Sequence, residues 1–177
     1  MTQPFFTIGH STRRIEAFTA LLAQSQIEWL ADIRTIAASR RNPQFEQAAL
    51  AAALAQHGVG YEHVAALGGL RGRSKTVARE TNAFWTNESF RNYADYALSS
   101  AFRTALELLI EAGHARRCVL MCAEAVWWRC HRRIVADHLL ARGESVFHIM
   151  GPGHVEPARL TAGARVQPDG TVVYPLR

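Results

Sequence analysis

The sequence predicts a single α/β domain with a mainly parallel sheet of about five strands flanked by helices. Short apolar runs, typical of buried strands, alternate along the chain with longer amphipathic segments, typical of helices. At 177 residues and 49% hydrophobic, the chain is long enough to form one sizeable core. No internal repeat or linker divides it, so we expect one domain over residues 1–177, in which the Pro- and Gly-rich residues 151–177 form a C-terminal extension.

The first half of the chain predicts three strands separated by helices. The expected strands are residues 5–8, 29–34 and 59–63. The helix after the first strand has its apolar side chains on one face, at Ile15, Phe18, Leu21 and Leu22. Asn42-Pro43 supplies the second helix with an N-cap and a proline in its first turn, and Gly58 ends that helix.

The second half opens with an irregular stretch, residues 71–86, whose length is typical of a lid, a binding loop or a disordered segment. We then expect one long helix from about Asn87 to Gly113. A strand over 118–121, a helix over 127–142 and a strand over 145–149 follow. Pro168-Asp169-Gly170 is a turn that predicts a terminal hairpin.

Polar residues follow the ends of several predicted strands. They are Gly9-His10-Ser11, Arg34, Cys122-Ala123-Glu124 and His148. Ligands of open α/β sheets bind beyond the carboxyl ends of the strands, so we expect these residues to converge on one edge.

Cys122 is the candidate nucleophile, because amides of the following helix would favour its thiolate and lower its pKa. Glu124, Cys130, His131 and Arg132 come within ten residues of it. A phosphatase loop needs Arg six residues after the cysteine, but position 128 is Trp and Arg129 is one residue late. A redox pair of Cys122 and Cys130 is possible, although the spacing is not C-x-x-C.

A metal site is another alternative, with zinc or iron held by Cys122, Glu124, Cys130 and His131. Asp32 and Arg34 share one face of their strand, where they either bind substrate or pair with each other. His10 after Gly9 is a candidate general base, and Arg132 is either a ligand clamp or an ion-pair partner of Glu124.

The formal net charge of +5 and the pI of about 9.6 raise the alternative of a nucleic-acid-binding module without catalysis. Its contacts would come from residues 71–79 and from exposed Trp85, Trp127 or Trp128. Lys75 is the only lysine, however, and the arginines are scattered, so coding bias explains the charge equally well. No apolar run reaches the length of a membrane span, the N-terminus has no signal-peptide pattern, and three cysteines suit a reduced cytoplasm.

Several motifs, taken in order over about residues 5–150, resemble the family called domain of unknown function 488. They are Thr7-Ile8-Gly9-His10-Ser11, Asp32-Ile33-Arg34 with Ser39-Arg40, Leu67-Gly68-Gly69, Tyr93-Ala94-Asp95-Tyr96, Cys122-Ala123-Glu124, Cys130-His131-Arg132 and His148-Ile149. Two departures are Ala37, where the family often has proline, and Ile33 in place of valine. The resemblance implies a small bacterial or archaeal cytosolic α/β protein and one shared site, but no activity.

We therefore expect an enzyme with a cysteine-centred pocket for an anionic small molecule or nucleotide-like ligand. Cys122 would be the nucleophile or redox thiol, His131 or His10 the base, and Glu124 an orienting group or acid. Ligand contacts are expected from Ser11, Asp32, Arg34, Arg40, Cys130 and Arg132. The sequence requires no cofactor, although zinc or iron remains possible.

Overall fold

The computed structural model describes residues 2–176, and its centre is a six-stranded sheet. The strands are β1 (Phe5–Gly9), β2 (Trp29–Asp32), β3 (Gly60–His63), β4 (Cys118–Cys122), β5 (Val146–Gly151) and β6 (His154–Pro157). Their order is β3-β2-β4-β1-β5-β6, and the first five strands run parallel while β6 runs antiparallel to β5. The predicted fold class is confirmed, with β6 as an additional edge strand.

Helices cover both faces of this sheet. They are α1 (Ile15–Gln24), α2 (Gln47–Gln56), α3 (Glu88–Tyr96), α4 (Ser100–Ala115) and α5 (Arg132–Ala141). Side chains of β4 alternate between two cores: Val119 and Met121 pack with α1 and α2, whereas Leu120 and Cys122 pack with the other three helices. Within residues 2–176, no helix is long and apolar enough to cross a membrane.

The sheet order places a topological switch between β1 and β4. The chain leaves β1 through α1 toward β2 on one side, and it leaves β4 through α5 toward β5 on the other. These two connections run over opposite faces of the sheet, and neighbouring strands with connections on opposite faces border a crevice beyond their carboxyl ends. The loops that begin at Gly9 and Cys122 border this crevice.

Three helix predictions are wrong in their boundaries. The helix expected to begin at Asn42-Pro43 begins at Gln47, after a separate 3-10 turn over Pro43–Phe45, and the Asn42 side chain makes no cap hydrogen bond. The single helix expected from Asn87 to Gly113 is two helices, because the Ser99 hydroxyl accepts the Phe102 N–H at 3.2 Å and starts α4 afresh. The helix expected from Trp127 begins as a short 3-10 turn, Trp127–Arg129, and α5 starts only at Arg132. The strands differ from prediction by one or two residues: β2 ends at Asp32, and β4 extends to Cys122.

The C-terminal extension is part of the core. The predicted hairpin forms between β7 (Arg165–Val166) and β8 (Val172–Val173). Tyr174 is buried, and its main-chain N–H donates to Asn82 Oδ1 at 2.9 Å, which fixes part of the 71–86 segment. Trp85 packs against Tyr174 and is only 6% exposed, so its expected exposure is wrong.

Candidate functional site

The loops after β1 and β4 are joined by main-chain hydrogen bonds. The N–H groups of His10 and Ser11 donate to the carbonyl oxygens of Cys122 and Ala123, each at 2.9 Å. A Cβ at Gly9 would overlap the main-chain oxygen of Glu124, so only glycine permits this approach. The two motifs therefore form one continuous surface at the switch.

The thiols of Cys122 and Cys130 are in contact on this surface, with 2.7 Å between their Sγ atoms. Arg132 Nη1 donates to Cys122 Sγ at 2.6 Å, and the main-chain N–H of Arg132 donates to Cys130 Sγ at 3.4 Å. The Arg132 side chain is 0% exposed and also donates to the main-chain oxygens of Glu124 at 2.7 Å and Ala125 at 3.2 Å. It therefore binds the main chain of Glu124, not the carboxylate.

His131 completes the thiol cluster. Its Nε2 lies 3.0 Å from the Ile33 carbonyl oxygen, which can only accept, so Nε2 carries the proton and Nδ1 is free to accept. Nδ1 lies 3.5 Å from Cys130 Sγ. The ring packs edge-on against Tyr93, with 5.0 Å between ring centroids, and burial lowers the pKa of His131. A neutral His131 is thus positioned to accept the proton of the Cys130 thiol.

The two thiols have opposite acidities. Burial raises the pKa of Cys122 well above its ordinary value, and the hydrogen bond and charge of Cys130 raise it further. Burial also raises the pKa of Cys130, but the hydrogen bond from Cys122 and the charge of Arg132 outweigh it and bring that pKa to about 7. The pair therefore gives up one proton near neutral pH and retains the second. The expectation that helix amides would lower the pKa of Cys122 is wrong.

Asp32 and Arg34 pair with each other, which is one of the two alternatives given for them. Arg34 Nε and Nη2 donate to the two carboxylate oxygens of Asp32 at 2.9 and 2.7 Å. The Tyr61 hydroxyl donates to Asp32 Oδ2 at 2.6 Å, so this buried carboxylate is fully engaged. Arg34 Nη1 lies toward His10 Nε2 at 3.5 Å.

His10 belongs to the Arg34 cluster and not to the thiol cluster. Its ring stacks on Phe45 at 4.3 Å and is 2% exposed. Nδ1 donates to the Ser11 carbonyl oxygen at 2.8 Å, which leaves Nε2 unprotonated and facing Arg34. Burial and the charge of Arg34 lower the pKa of His10. The imidazole therefore lies against the Arg34 guanidinium, which Asp32 holds in place.

Two clefts open on either side of the Ala123-Glu124 segment. The first, which we call the thiol cleft, has a volume of about 470 Å³. It is lined by Arg34, Cys122, Glu124, Cys130 and His131, with Arg129 and Phe90 in its wall. The second, about 500 Å³, brings together His10, Ser11, Arg40, Arg41 and Glu124. Ala123 and Glu124 line both clefts, whereas Asp32 and Arg132 lie buried behind the walls.

A family model described as domain of unknown function DUF488 matches residues 14–139. The chain belongs to this family. The match includes both thiols, His131 and Arg132, but it begins after His10 and ends before His148. No curated protein and no solved structure matches the chain.

Sequence reasoning missed two residues of this DUF488 site. The Tyr61 hydroxyl donates a hydrogen bond to Asp32. Pairing of β2 with β3 places Tyr61 opposite Leu30, and Leu30 and Asp32 lie on the same face of β2. Parallel pairing of these two strands would therefore have indicated the contact. Arg129, which is one residue late for a phosphatase loop, instead lines the thiol cleft.

The described part of this DUF488 chain contains no group of three or more His, Cys, Asp and Glu side chains arranged to hold a metal ion. The four residues of the metal alternative line one cleft without forming such a group, and the Glu124 side chain is exposed.

Most of the side chains that the nucleic-acid alternative would use contact other parts of the protein. Trp127 stacks on His148 at 4.6 Å, Arg71 lies 3.7 Å over the Tyr96 ring, and Trp85 is buried. Trp128 alone of the three tryptophans is exposed, at 45%. Binding of nucleic acid stays a prediction.

Proposed function

We propose that this DUF488 member is a cysteine-dependent enzyme that acts on an anionic or nucleotide-like ligand in the cleft beside Cys122 and Cys130. The contact that supports this proposal is the thiol pair, whose sulfur atoms lie 2.7 Å apart under the Arg132 guanidinium. A buried thiol without such partners keeps its proton and is inert. Cys118 is such an inert thiol, because it is buried in β4 and burial raises its pKa.

Cys130 is the better candidate for the attacking sulfur. Its pKa is lowered from the ordinary 9.0 to about 7 while that of Cys122 is raised, so Cys130 is the thiol that loses its proton first. His131 Nδ1 is the nearest acceptor for its proton. Cys122 then acts as the donor that stabilises the Cys130 thiolate, and Arg132 supplies the positive charge beside the pair.

The anionic part of the ligand is assigned to arginines that have no carboxylate partner among the described residues. Arg34 is neutralised by Asp32, so its charge is not available to a ligand. Arg129 is exposed in the thiol cleft, and Arg40 and Arg41 are exposed in the neighbouring cleft. A ligand that crosses the Glu124 segment can place its reacting centre at Cys130 and a negative group at Arg40.

Alkylation with iodoacetamide across pH 5–10, followed by peptide mapping, tests the proposal. We expect the Cys130 rate to rise with a midpoint near pH 7, and Cys122→Ala to shift that midpoint upward because it removes the S–H donor to the Cys130 sulfur. Cys118→Ala removes a thiol outside the cluster and should leave the midpoint unchanged. A midpoint at the ordinary thiol value, or no reaction at Cys130, would contradict the proposal.

A further inference from the structure

We infer that Cys122 and Cys130 act together as a dithiol that reduces a small organic disulfide and closes to an intramolecular disulfide. This inference rests on the proposed function, since it assigns a reaction to the same thiols. It adds that the second sulfur is a reactant and that the substrate contains an S–S bond.

The geometry of the pair supports two reacting sulfurs. A lone nucleophilic cysteine needs a base and an anion-stabilising group, which His131 and Arg132 provide. A second thiol in contact with the first can donate a hydrogen bond to its thiolate, and it can also attack that sulfur once the first thiol is held in a mixed disulfide. The Sγ atoms lie 2.7 Å apart, with Cys122 at the end of β4 and Cys130 in the extended link before α5. A disulfide bond of about 2.05 Å therefore needs only a short further approach of the two sulfurs.

The reaction balances with the groups in the cleft. The Cys130 thiolate attacks one sulfur of R–S–S–R′, the S–S bond breaks, and R′S⁻ leaves and takes a proton from solvent. Cys122 then loses its proton to solvent or to His131 and attacks Cys130 Sγ, which expels RS⁻. The substrate gains two electrons, the protein loses two, and an external thiol such as dithiothreitol restores the dithiol.

Arg132 has its main effect in the second step. The Cys130 charge helps to raise the Cys122 pKa, and this contribution disappears once Cys130 is held in a mixed disulfide. The guanidinium, 2.6 Å from Cys122 Sγ, then stabilises the new thiolate. The negative charge is thus on Cys130 Sγ in the first step and on Cys122 Sγ in the second.

The cleft favours an organic disulfide of low molecular mass. Its volume of about 470 Å³ suits a substrate with substituents on sulfur, whereas a protein disulfide could not reach sulfurs that are buried at its floor. Ile36 and Leu70 line the cleft and are 68% and 77% exposed, which provides apolar surface for such substituents.

The test is anaerobic incubation of the reduced full-length protein with bis(2-hydroxyethyl) disulfide, with release of thiol and peptide masses as readouts. Wild type and Cys118→Ala should release two thiols per protein and yield a Cys122–Cys130 linkage. Cys122→Ser should stop at a mixed disulfide on Cys130 and release one thiol.

A wild-type protein that stops at the mixed disulfide would overturn the inference, while a Cys130 alkylation midpoint near pH 7 would leave the proposed function standing. Oxidation of the pair by cumene hydroperoxide but not by the disulfide would overturn the substrate class. Loss of the low alkylation midpoint would reject the proposed function itself.

Discussion

Gly69→Ala should impair the thiol site without touching any reacting group. A Cβ at this position would lie 2.6 Å from Nδ1 and 2.8 Å from Cγ of His131, while ordinary contact begins at 3.4 Å. The imidazole or the loop must therefore move by about 0.8 Å. The ring cannot retreat easily, because Tyr93 packs against it and Nε2 is bound to Ile33.

The loop is also held in place, because the N–H of Leu70 donates to Thr35 Oγ1 at 3.0 Å. We therefore expect His131 to lose its contact with Cys130. One such hydrogen bond is worth about 1 kcal/mol. Because the pKa of Cys130 is about 7, its loss should lower the alkylation rate at pH 7 roughly threefold. Gly72→Ala is the matched control, since no atom lies within 4 Å of a Cβ there.

The assay is the second-order rate of iodoacetamide reaction at Cys130, measured with the melting temperature of each variant. Gly72→Ala should match wild type in both. If Gly69→Ala alkylated at the wild-type rate, His131 would not be the proton acceptor of Cys130. A lower melting temperature with an unchanged rate would lead to the same conclusion.

Two predictions concern stability. Tyr174→Phe removes the hydroxyl that donates to buried Asp137 at 2.7 Å, so the free energy of unfolding in urea should fall by about 1–3 kcal/mol; a loss below the error of the titration would contradict this. Burial lowers the pKa of His148 to about 4 and of His138 to about 3, whereas both bind protons near pH 6.5 once unfolded. The free energy of unfolding should therefore fall as the pH drops from about 6.5 to 4, and His148→Gln should reduce that slope in the same titration.

The sequence was sufficient to predict that the residues after β1 and β4 share one edge of the sheet, but His148, expected at the same edge, lies within β5 opposite Thr7. Gly9-His10-Ser11 and Cys122-Ala123-Glu124 each follow an apolar run, and the carboxyl ends of parallel strands share an edge. That β1 and β4 are neighbours was not predictable, because strand order depends on which apolar faces pack together. The hydrogen bonds that join the two loops follow from that order.

The thiol contact depends on local backbone geometry that periodicity does not reveal. A helix starting at Trp127, as the sequence predicted, would place Cys130 on a helical surface. The chain instead forms one 3-10 turn, and Cys130 is extended at φ −126° and ψ 147° before α5 begins. This extended residue directs its sulfur toward Cys122. The pKa of Cys122 is therefore raised and not lowered as expected, because burial and the Cys130 thiol both raise it.

The buried guanidinium of Arg132 links the stability of the fold to the charge of the thiol pair. A fully buried guanidinium is costly unless a negative group compensates it. Among the ion pairs of residues 2–176, none involves Arg132, and its side-chain partners are two carbonyl oxygens and Cys122 Sγ. Loss of one proton from the thiol pair supplies a negative charge beside this guanidinium. If the proposed function holds, the ionised form that reacts is therefore also the form that compensates a buried cation.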